Sequence, residues 1–255
     1  MKITLLGTGT SQGVPVIGCS CKVCKSDDPR NERLRTSAMI QSEGVTIIID
    51  VGPDFRRQML SNPIERLDAV LITHEHNDHV VGLDDIRPFY FRQREGIHYY
   101  ALERVFQELQ QRFPYVFEKN PYPGAPKITM QHLTPSIPFK VKHIEIIPFI
   151  VIHGRMEVLC FRIGNLAYIT DASAIPAESM KILEGIDTLI INALRKEPHY
   201  SHFNLEQAIK VIDQLSPRQS FLTHISHYLG LTEEIQEELP QGVYVGYDNL
   251  SININ

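Results

Sequence analysis

Five short apolar runs in this chain each lead directly into a side chain that can bind a metal ion. The run 45–49 precedes Asp50, 69–73 precedes His74, 144–152 precedes His153, 166–170 precedes Asp171, and 220–223 precedes His224. Runs this short and this rich in Val, Ile and Leu predict strands covered on both faces. Strand ends are where loops converge to build sites, so the five junctions can face one pocket. Residues 2–6 and 188–191 read as two more strands of the same kind. Helical stretches alternate with them, at 54–60, after His79, at 102–112 and at 177–183. The clearest helix covers 204–215, where Leu205, Ala208, Ile209, Ile212 and Leu215 share one stripe and Asn204 with Gln207 forms a capping-box start. Residues 113–126, rich in Pro and Tyr, read as a loop that either covers a site or only connects two elements.

The junction after residue 73 carries the densest chemistry, His74-Glu75-His76-Asn77-Asp78-His79. Three of the chain's 11 histidines and an aspartate fall within six positions, more than a polar surface loop brings together by chance. Imidazole with carboxylate suits zinc, manganese or iron. Four donors this close along the chain crowd a single ion, whereas two adjacent ions divide them.

The pattern His74-x-His76-x-Asp78-His79, the preceding Asp50 and the later His153, Asp171 and His224 resemble the metallo-β-lactamase superfamily, in order and over essentially the whole chain. That resemblance implies an α/β fold, an αββα sandwich formed by residues 1–255 as one domain. It further implies that His74, His76 and His153 hold one divalent ion and that Asp78, His79 and His224 hold a second, zinc or manganese, with Asp171 bridging them. Asp50 then orients a ligand histidine by hydrogen bonding. Competing readings of the residues alone make Asp50 a capped turn before Gly52-Pro53 and Asp171 a helix start ahead of Ala172-Ser173. His202, in Tyr200-Ser201-His202-Phe203-Asn204, resembles the histidine that phosphodiesterase members place before a helix. It is expected to act as general acid or phosphate-orienting group, with His199 as its rival.

The chemistry follows from charge. Two divalent ions facing Asp78, Asp171 and a hydroxide leave the centre about one unit positive, which favours anionic substrates and transition states. A water bridging the ions loses its proton near neutral pH and becomes the nucleophile, so hydrolysis needs no covalent intermediate. Asp78 and His202 are the side chains expected to carry catalysis.

A second cluster, Cys19-Ser20-Cys21-Lys22-Val23-Cys24, offers three soft ligands within six positions, with the fourth cysteine far off at Cys160. Such clustering suits thiolate ligation better than a disulfide framework, while a reduced or redox-active cluster is the competing reading. A closed zinc site needs a fourth donor, and His227, three residues after His224, can supply it. Together with Gly7-Thr8-Gly9-Thr10-Ser11-Gln12-Gly13-Val14-Pro15, this arrangement resembles the phosphonate-pathway cyclic phosphodiesterase (PhnP-like) branch, which implies one structural zinc. Gly7-x-Gly9 lacks the remainder of a P-loop or dinucleotide fingerprint and reads as a tight turn. Cys160 reads as an inert core thiol, and His98, His132 and His143 as structural or surface histidines. Arg87 and Arg195 could reach a phosphate but read as ordinary surface or ion-paired arginines.

Composition bounds the partners. The 255 residues are 43% hydrophobic and 22% charged, which supplies a sizeable core. A net charge of −5 gives no overall attraction to nucleic acid or anionic membrane, so a small anionic phosphodiester is the expected substrate. A homodimer is compatible with the sequence. The first seven residues read as a strand rather than a leader, and a cytoplasmic protein is expected. A transfer-RNA 3′-processing nuclease is the alternative enzyme, disfavoured by the absence of a basic stripe. A non-catalytic metal-binding protein of the same fold is the alternative outside enzymes, disfavoured by the complete ligand set.

Overall fold

The computed structural model describes residues 1–254. Its strands are β1 (Lys2–Gly7), β2 (Ser37–Ser42), β3 (Val45–Ile49), β4 (Ala69–Leu71), β5 (Ile97–Ala101), β6 (Ile128–His132), β7 (Phe139–Val141), β8 (Ile144–His153), β9 (Met156–Ile163), β10 (Leu166–Tyr168), β11 (Thr188–Asn192), β12 (Gln219–Thr223), β13 (Val243–Val245) and β14 (Leu250–Asn253). The helices are α1 (Phe55–Ser61), α2 (Asn77–Val80), α3 (Arg87–Gln93), α4 (Glu103–Arg112), α5 (Pro114–Phe117), α6 (Ala177–Ile182), α7 (Leu205–Leu215) and α8 (Thr232–Glu238), with a 3₁₀ turn over Val81–Ile86.

Two seven-stranded sheets form, in the orders β14-β1-β2-β3-β4-β5-β6 and β13-β12-β11-β10-β9-β8-β7. In each, four strands pair antiparallel and the ladder then continues in parallel, through β4, β5 and β6 in the first sheet and β11, β12 and β13 in the second. The two sheets thus share a pairing pattern, although no repeat is visible in the sequence. The pattern is carried by which residues are apolar, not by their identity.

The sheets face one another across Ile3, Leu5, Ile40, Ile47, Ile49 and Leu71 on one side and Ile146, Leu159, Phe161, Tyr168 and Ile190 on the other. The far face of the first sheet is covered by Phe55, Phe89, Val105, Phe106 and Leu109 from α1, α3 and α4. That of the second is covered by Ala208 and Ile212 of α7 and Ile235 of α8. The result is the αββα sandwich, an α/β architecture. Central strands covered on both faces read as unbroken apolar runs, which is why β3 is buried at every position.

The long strand β9 was not among the expected strands, because Glu157 and Arg162 interrupt its apolar run at the two ends. Strands β2, β5, β6, β7, β13 and β14 were not expected either; β5, β6, β7, β13 and β14 each expose part of their length, whereas β2, buried at four of its six positions, mixes Ser and Gln with its apolar residues. The stretch after His79 forms the last residue of α2, a 3₁₀ turn and α3 rather than one helix, and the 113–126 connection contains the single turn α5. Tyr115 of α5 donates to Asp84 at 2.5 Å, which ties that connection to the 3₁₀ turn. Among the described residues no helix is long and apolar enough to cross a membrane.

Helix α7 starts where the sequence placed it. The Asn204 side chain accepts from Gln207 N–H at 2.9 Å, and the Gln207 side chain accepts from Asn204 N–H at 3.0 Å, which closes the capping box. Asn204→Ala is expected to cost about 1 kcal/mol and to lower the melting midpoint by about 2–4 °C with bound metal unchanged. A midpoint within error of the parent would show that this cap does not hold the helix.

Candidate metal centre

The strand ends meet as the sequence suggested, with one local device repeated. Asp50, Asp171 and His224 all adopt the left-handed conformation, with φ of 63°, 55° and 53°. Such backbone costs a non-glycine residue roughly 1–2 kcal/mol, and Asp and His are among the side chains that tolerate it best. Each turn stops its strand abruptly and throws the side chain across the end of the sheet. Before Asp171 the chain stays extended beyond the formal strand end, because Ile169 N–H still reaches Ile190 O at 2.8 Å. No helix begins at Asp171, so the helix-start reading is discarded; α6 begins only at Ala177.

Asp50 is fully buried, and its carboxylate organises the His74–His79 loop. Oδ1 accepts from Thr73 N–H at 2.8 Å, and Oδ2 accepts from the Thr73 hydroxyl at 2.8 Å and from His79 Nδ1–H at 2.7 Å. The capped-turn reading of Asp50 therefore gives way to contacts with the histidine loop. The single hydroxyl proton of Thr73 is spent on Asp50, so at 3.0 Å from His74 Nδ1 the hydroxyl can only accept. His153 Nδ1–H donates to the Ser201 carbonyl at 2.7 Å. All three rings thereby carry their proton on Nδ1 and present an unprotonated Nε2, the form in which imidazole binds metals.

Those free nitrogens gather into donor sets. Ligand atoms of His74, His76 and His153 lie within 4.8 Å of one another, as do those of Asp78, His79 and His224. His74 Nε2 and His76 Nδ1 face each other at 2.9 Å. Asp171 lies between the sets, with Oδ2 at 3.3 Å from His79 Nε2, and Oδ1 at 3.2 Å from His224 Nε2 and 3.9 Å from His153 Nε2. Although carboxylates lie this near, the buried Nε2 atoms of His79 and His224 make no hydrogen bond. Buried polar atoms left so are costly unless something else satisfies them, and a bound cation would do so here.

The electrostatics agree with the donor chemistry. Burial alone would raise the Asp78 and Asp171 carboxyls, yet the surrounding rings, His79 and His224 among them, hold both below the ordinary carboxylate range. Burial opposes a proton on His79, while Asp171, Asp78 and Asp50 around it push its pKa well up. Three carboxylates with no Lys or Arg in the cluster thus call for positive charge at this spot, which a second proton on His79 or a bound cation would supply. His74 is driven down by burial and by the neighbouring His79.

His202 completes the ring of groups. Its Nε2 lies 3.2 Å from Asp171 Oδ1, and its ring stacks on His224 with centroids 4.9 Å apart. His199 stands behind it, with the two Nδ1 atoms 3.1 Å apart and the Ser201 hydroxyl near both. Of the two candidates, His202 is the one that reaches the Asp171 carboxylate.

Cys19, Cys21 and Cys24 Sγ surround His227 Nδ1 at 3.3, 3.4 and 3.4 Å. With bonds of about 2.3 Å to sulfur and 2.0 Å to nitrogen, a tetrahedral zinc would set each such edge near 3.5 Å. The Cys24 backbone N–H and the His227 ring lower the Cys21 thiol to about 6 against burial, easing the thiolate form that ligation needs. The two centres are joined by the backbone, since Ile225 N–H donates to Thr8 O at 2.8 Å and Thr10 N–H to Ile225 O at 3.0 Å.

Other residues fall where the sequence left them. Cys160 is buried and burial drives its thiol far up, so it is inert. Arg87 pairs with Asp84, and Arg195 donates to the carbonyls of Glu197 and Pro198. Three contributors were not anticipated. Thr73 relays Asp50 to His74, and Asn192 staples the Asp171 turn through Ala172 N–H and O at 2.8 and 3.0 Å. Gly52 is needed because a Cβ there would stand 2.0 Å from Asp78 O. Only the Gly52-Pro53 pair after Asp50 could have hinted at any of these.

A family model described as the β-lactamase superfamily domain matches residues 45–225. A solved diphosphatase from the PhnP family superposes with a TM-score of 0.93 at 38% identity, covering 100% of this chain and 98% of its own. The chain belongs to the metallo-β-lactamase superfamily, in its PhnP family. An octanoyltransferase of Porphyromonas gingivalis is 43% identical over 100% of this chain but 52% of its own length, so the chain spans about half of that relative. Zn(2+)-bound PqqB from Methylobacterium extorquens shares the fold at 19% identity, with a TM-score of 0.82 and 100% of both chains covered. This metallo-β-lactamase protein thus carries the superfamily fold together with clusters of His, Asp and Cys donors able to hold metal ions.

Two variants test the geometry. Gly52→Ala pushes on Asp78 and is expected to destabilise by about 1–3 kcal/mol and to deplete metal from the histidine–aspartate centre, read by metal analysis beside chemical denaturation. Cys21→Ala is expected to lower the total metal count by one while the remaining ions stay. An unchanged count in the cysteine variant would remove the tetrahedral site.

Proposed function

We propose that this chain is a binuclear, metal-dependent phosphodiesterase acting on small or cyclic phosphodiesters, with His202 supplying the proton that the leaving oxygen takes up. The observation that carries the reading is the position of His202, 3.2 Å from a carboxylate shared by two donor sets and just before α7. The diphosphatase that is 38% identical works on a related phosphorus centre, and a phosphoanhydride is therefore the second substrate class to test.

His74, His76 and His153 would hold one cation, Asp78, His79 and His224 the other, with Asp171 between them, and Cys19, Cys21, Cys24 and His227 a structural zinc. When bound, the two catalytic cations supply Lewis acidity, which neutralises phosphoryl oxygens and acidifies water near neutral pH. Asp50 and the Ser201 carbonyl fix the protons of His79 and His153 on Nδ1, so neither ring can turn its N–H toward the substrate. In the reaction the water gives up a proton to solvent as its oxygen bonds to phosphorus, the ester P–O bond breaks, and the departing oxygen takes a proton from His202 Nε2. Burial holds His202 down to about 4 in the free protein. The charge of an arriving phosphodiester anion favours the protonated ring. The Ser201 hydroxyl and half-buried His199 beside Nδ1 then form a route by which the proton is replaced.

Purified protein supplied with manganese or zinc is expected to hydrolyse bis(p-nitrophenyl) phosphate or a ribose cyclic phosphate. His202→Ala should lower kcat by about 10²–10⁴ while retaining its metal. Full turnover in that variant would remove His202 from the mechanism, and cleavage of precursor transfer RNA in place of the small esters would promote the nuclease reading.

A further inference from the structure

The loop that carries His74, His76, Asp78 and His79 has little regular structure of its own, since only the four-residue α2 lies within it. Two residues between the ligands, Glu75 and Asn77, are held instead by α4. Arg112, the last residue of α4, donates from Nη1 to Glu75 O at 2.7 Å and to Asn77 Oδ1 at 2.8 Å. Arg104, near the other end of the helix, pairs with the Glu75 carboxylate and donates from its second nitrogen to the Glu157 carbonyl. Glu157 lies on β9 opposite Ile152, one residue before His153, so that contact reaches the strand pair carrying the third ligand.

Arg104 and Arg112 are eight residues apart, roughly 12 Å along a helix, and they grip the loop at two points. The helix is itself fixed, with Val105, Phe106 and Leu109 buried against the first sheet. The Glu75 side chain is only 17% exposed, and its Oε2 has no partner among the described residues, so Arg104 alone balances that carboxylate. His74 and His76 come from the first sheet and His153 from the second; Leu159 N–H of β9 bonds to Thr73 O at 3.0 Å just before His74, and α4 adds bonds to Glu75 and Asn77 within the loop and to Glu157 of β9.

We propose that Arg104 and Arg112 are positioning residues for the cation that His74, His76 and His153 would hold, fixing the Glu75–Asn77 part of the histidine loop beyond the point where Thr73 bonds to β9. The inference rests on the metal reading of that trio and is independent of which ester is cleaved. Neither arginine touches the cation or the substrate. Partly exposed ion pairs add little to global stability, so removing one should loosen the loop without unfolding the protein.

The test uses the full chain stripped of metal and titrated with zinc or manganese against a chelating dye. It compares the parent with Arg104→Met, Arg112→Met, Arg112→Lys, Asn77→Ala and, as an exposed arginine away from the site, Arg218→Met. Arg104→Met and Arg112→Met are expected to weaken the histidine–aspartate centre by about 10–100-fold, with occupancy of the cysteine site unchanged and the metal-free melting midpoint within about 3 °C of the parent. Arg112→Lys, whose ammonium can still donate to both oxygens, should recover most of the affinity, and Asn77→Ala should lose part of it without any change of charge. Affinities of both methionine variants within twofold of the parent would overturn the proposal, as would an equal loss in Arg218→Met or a loss that follows a fallen melting midpoint. A parent that binds metal but hydrolyses no phosphodiester, with the affinity shifts still present, would sink the reaction and leave the clamp standing.

Discussion

The buried carboxylate of Asp50 is the contact on which the rest of the centre depends. It sits in a left-handed turn at the end of β3, with no exposure to water, and three hydrogen bonds converge on it from Thr73 and His79. Burying an ionised carboxyl is costly unless donors satisfy it, and these donors come from the loop that carries the candidate metal ligands. Folding the strand end and shaping the metal loop are therefore one event. Asp50 also reaches His74 through the Thr73 hydroxyl, so one buried oxygen pair sets the tautomer of a histidine in each donor set.

The same economy joins the two candidate metal sites. β12 ends in the left-handed His224, and within three residues the chain supplies Ile225, which bonds to both Thr8 and Thr10, and then His227 among the cysteines. A structural ion there would pin the N-terminal loop against the wall of the catalytic centre. The strain at three strand ends is tolerated because the surrounding sheets and hydrogen bonds leave the turns no other conformation.

Much of this was legible in the sequence because metal ligation demands particular residue types, and because doubly covered strands read as apolar runs. Val45–Ile49 was recovered residue for residue, and every donor in the two histidine–aspartate sets stood at the end of a run or in the motif after one. The capping box of α7 was equally visible, since it is written in two residues three apart. Contacts without local periodicity were illegible. The two arginines of α4, the Asn192 staple and the Thr73 relay join segments that are distant in sequence or adjacent without a motif, and a positive φ at Asp50, Asp171 or His224 leaves no mark on composition. The edge strands escaped notice for a related reason, being half exposed and mixed in character.

The central claim is that strand-end side chains from both sheets hold a pair of cations, with a third held by the cysteine loop. Diffraction from zinc-loaded crystals at the zinc absorption edge measures this directly. The account predicts two adjacent anomalous peaks on either side of Asp171, one beside His74, His76 and His153 and one beside Asp78, His79 and His224, and a separate peak enclosed by Cys19, Cys21, Cys24 and His227. A single peak at Asp171 with His224 turned away, or no peak among the cysteines, would contradict it.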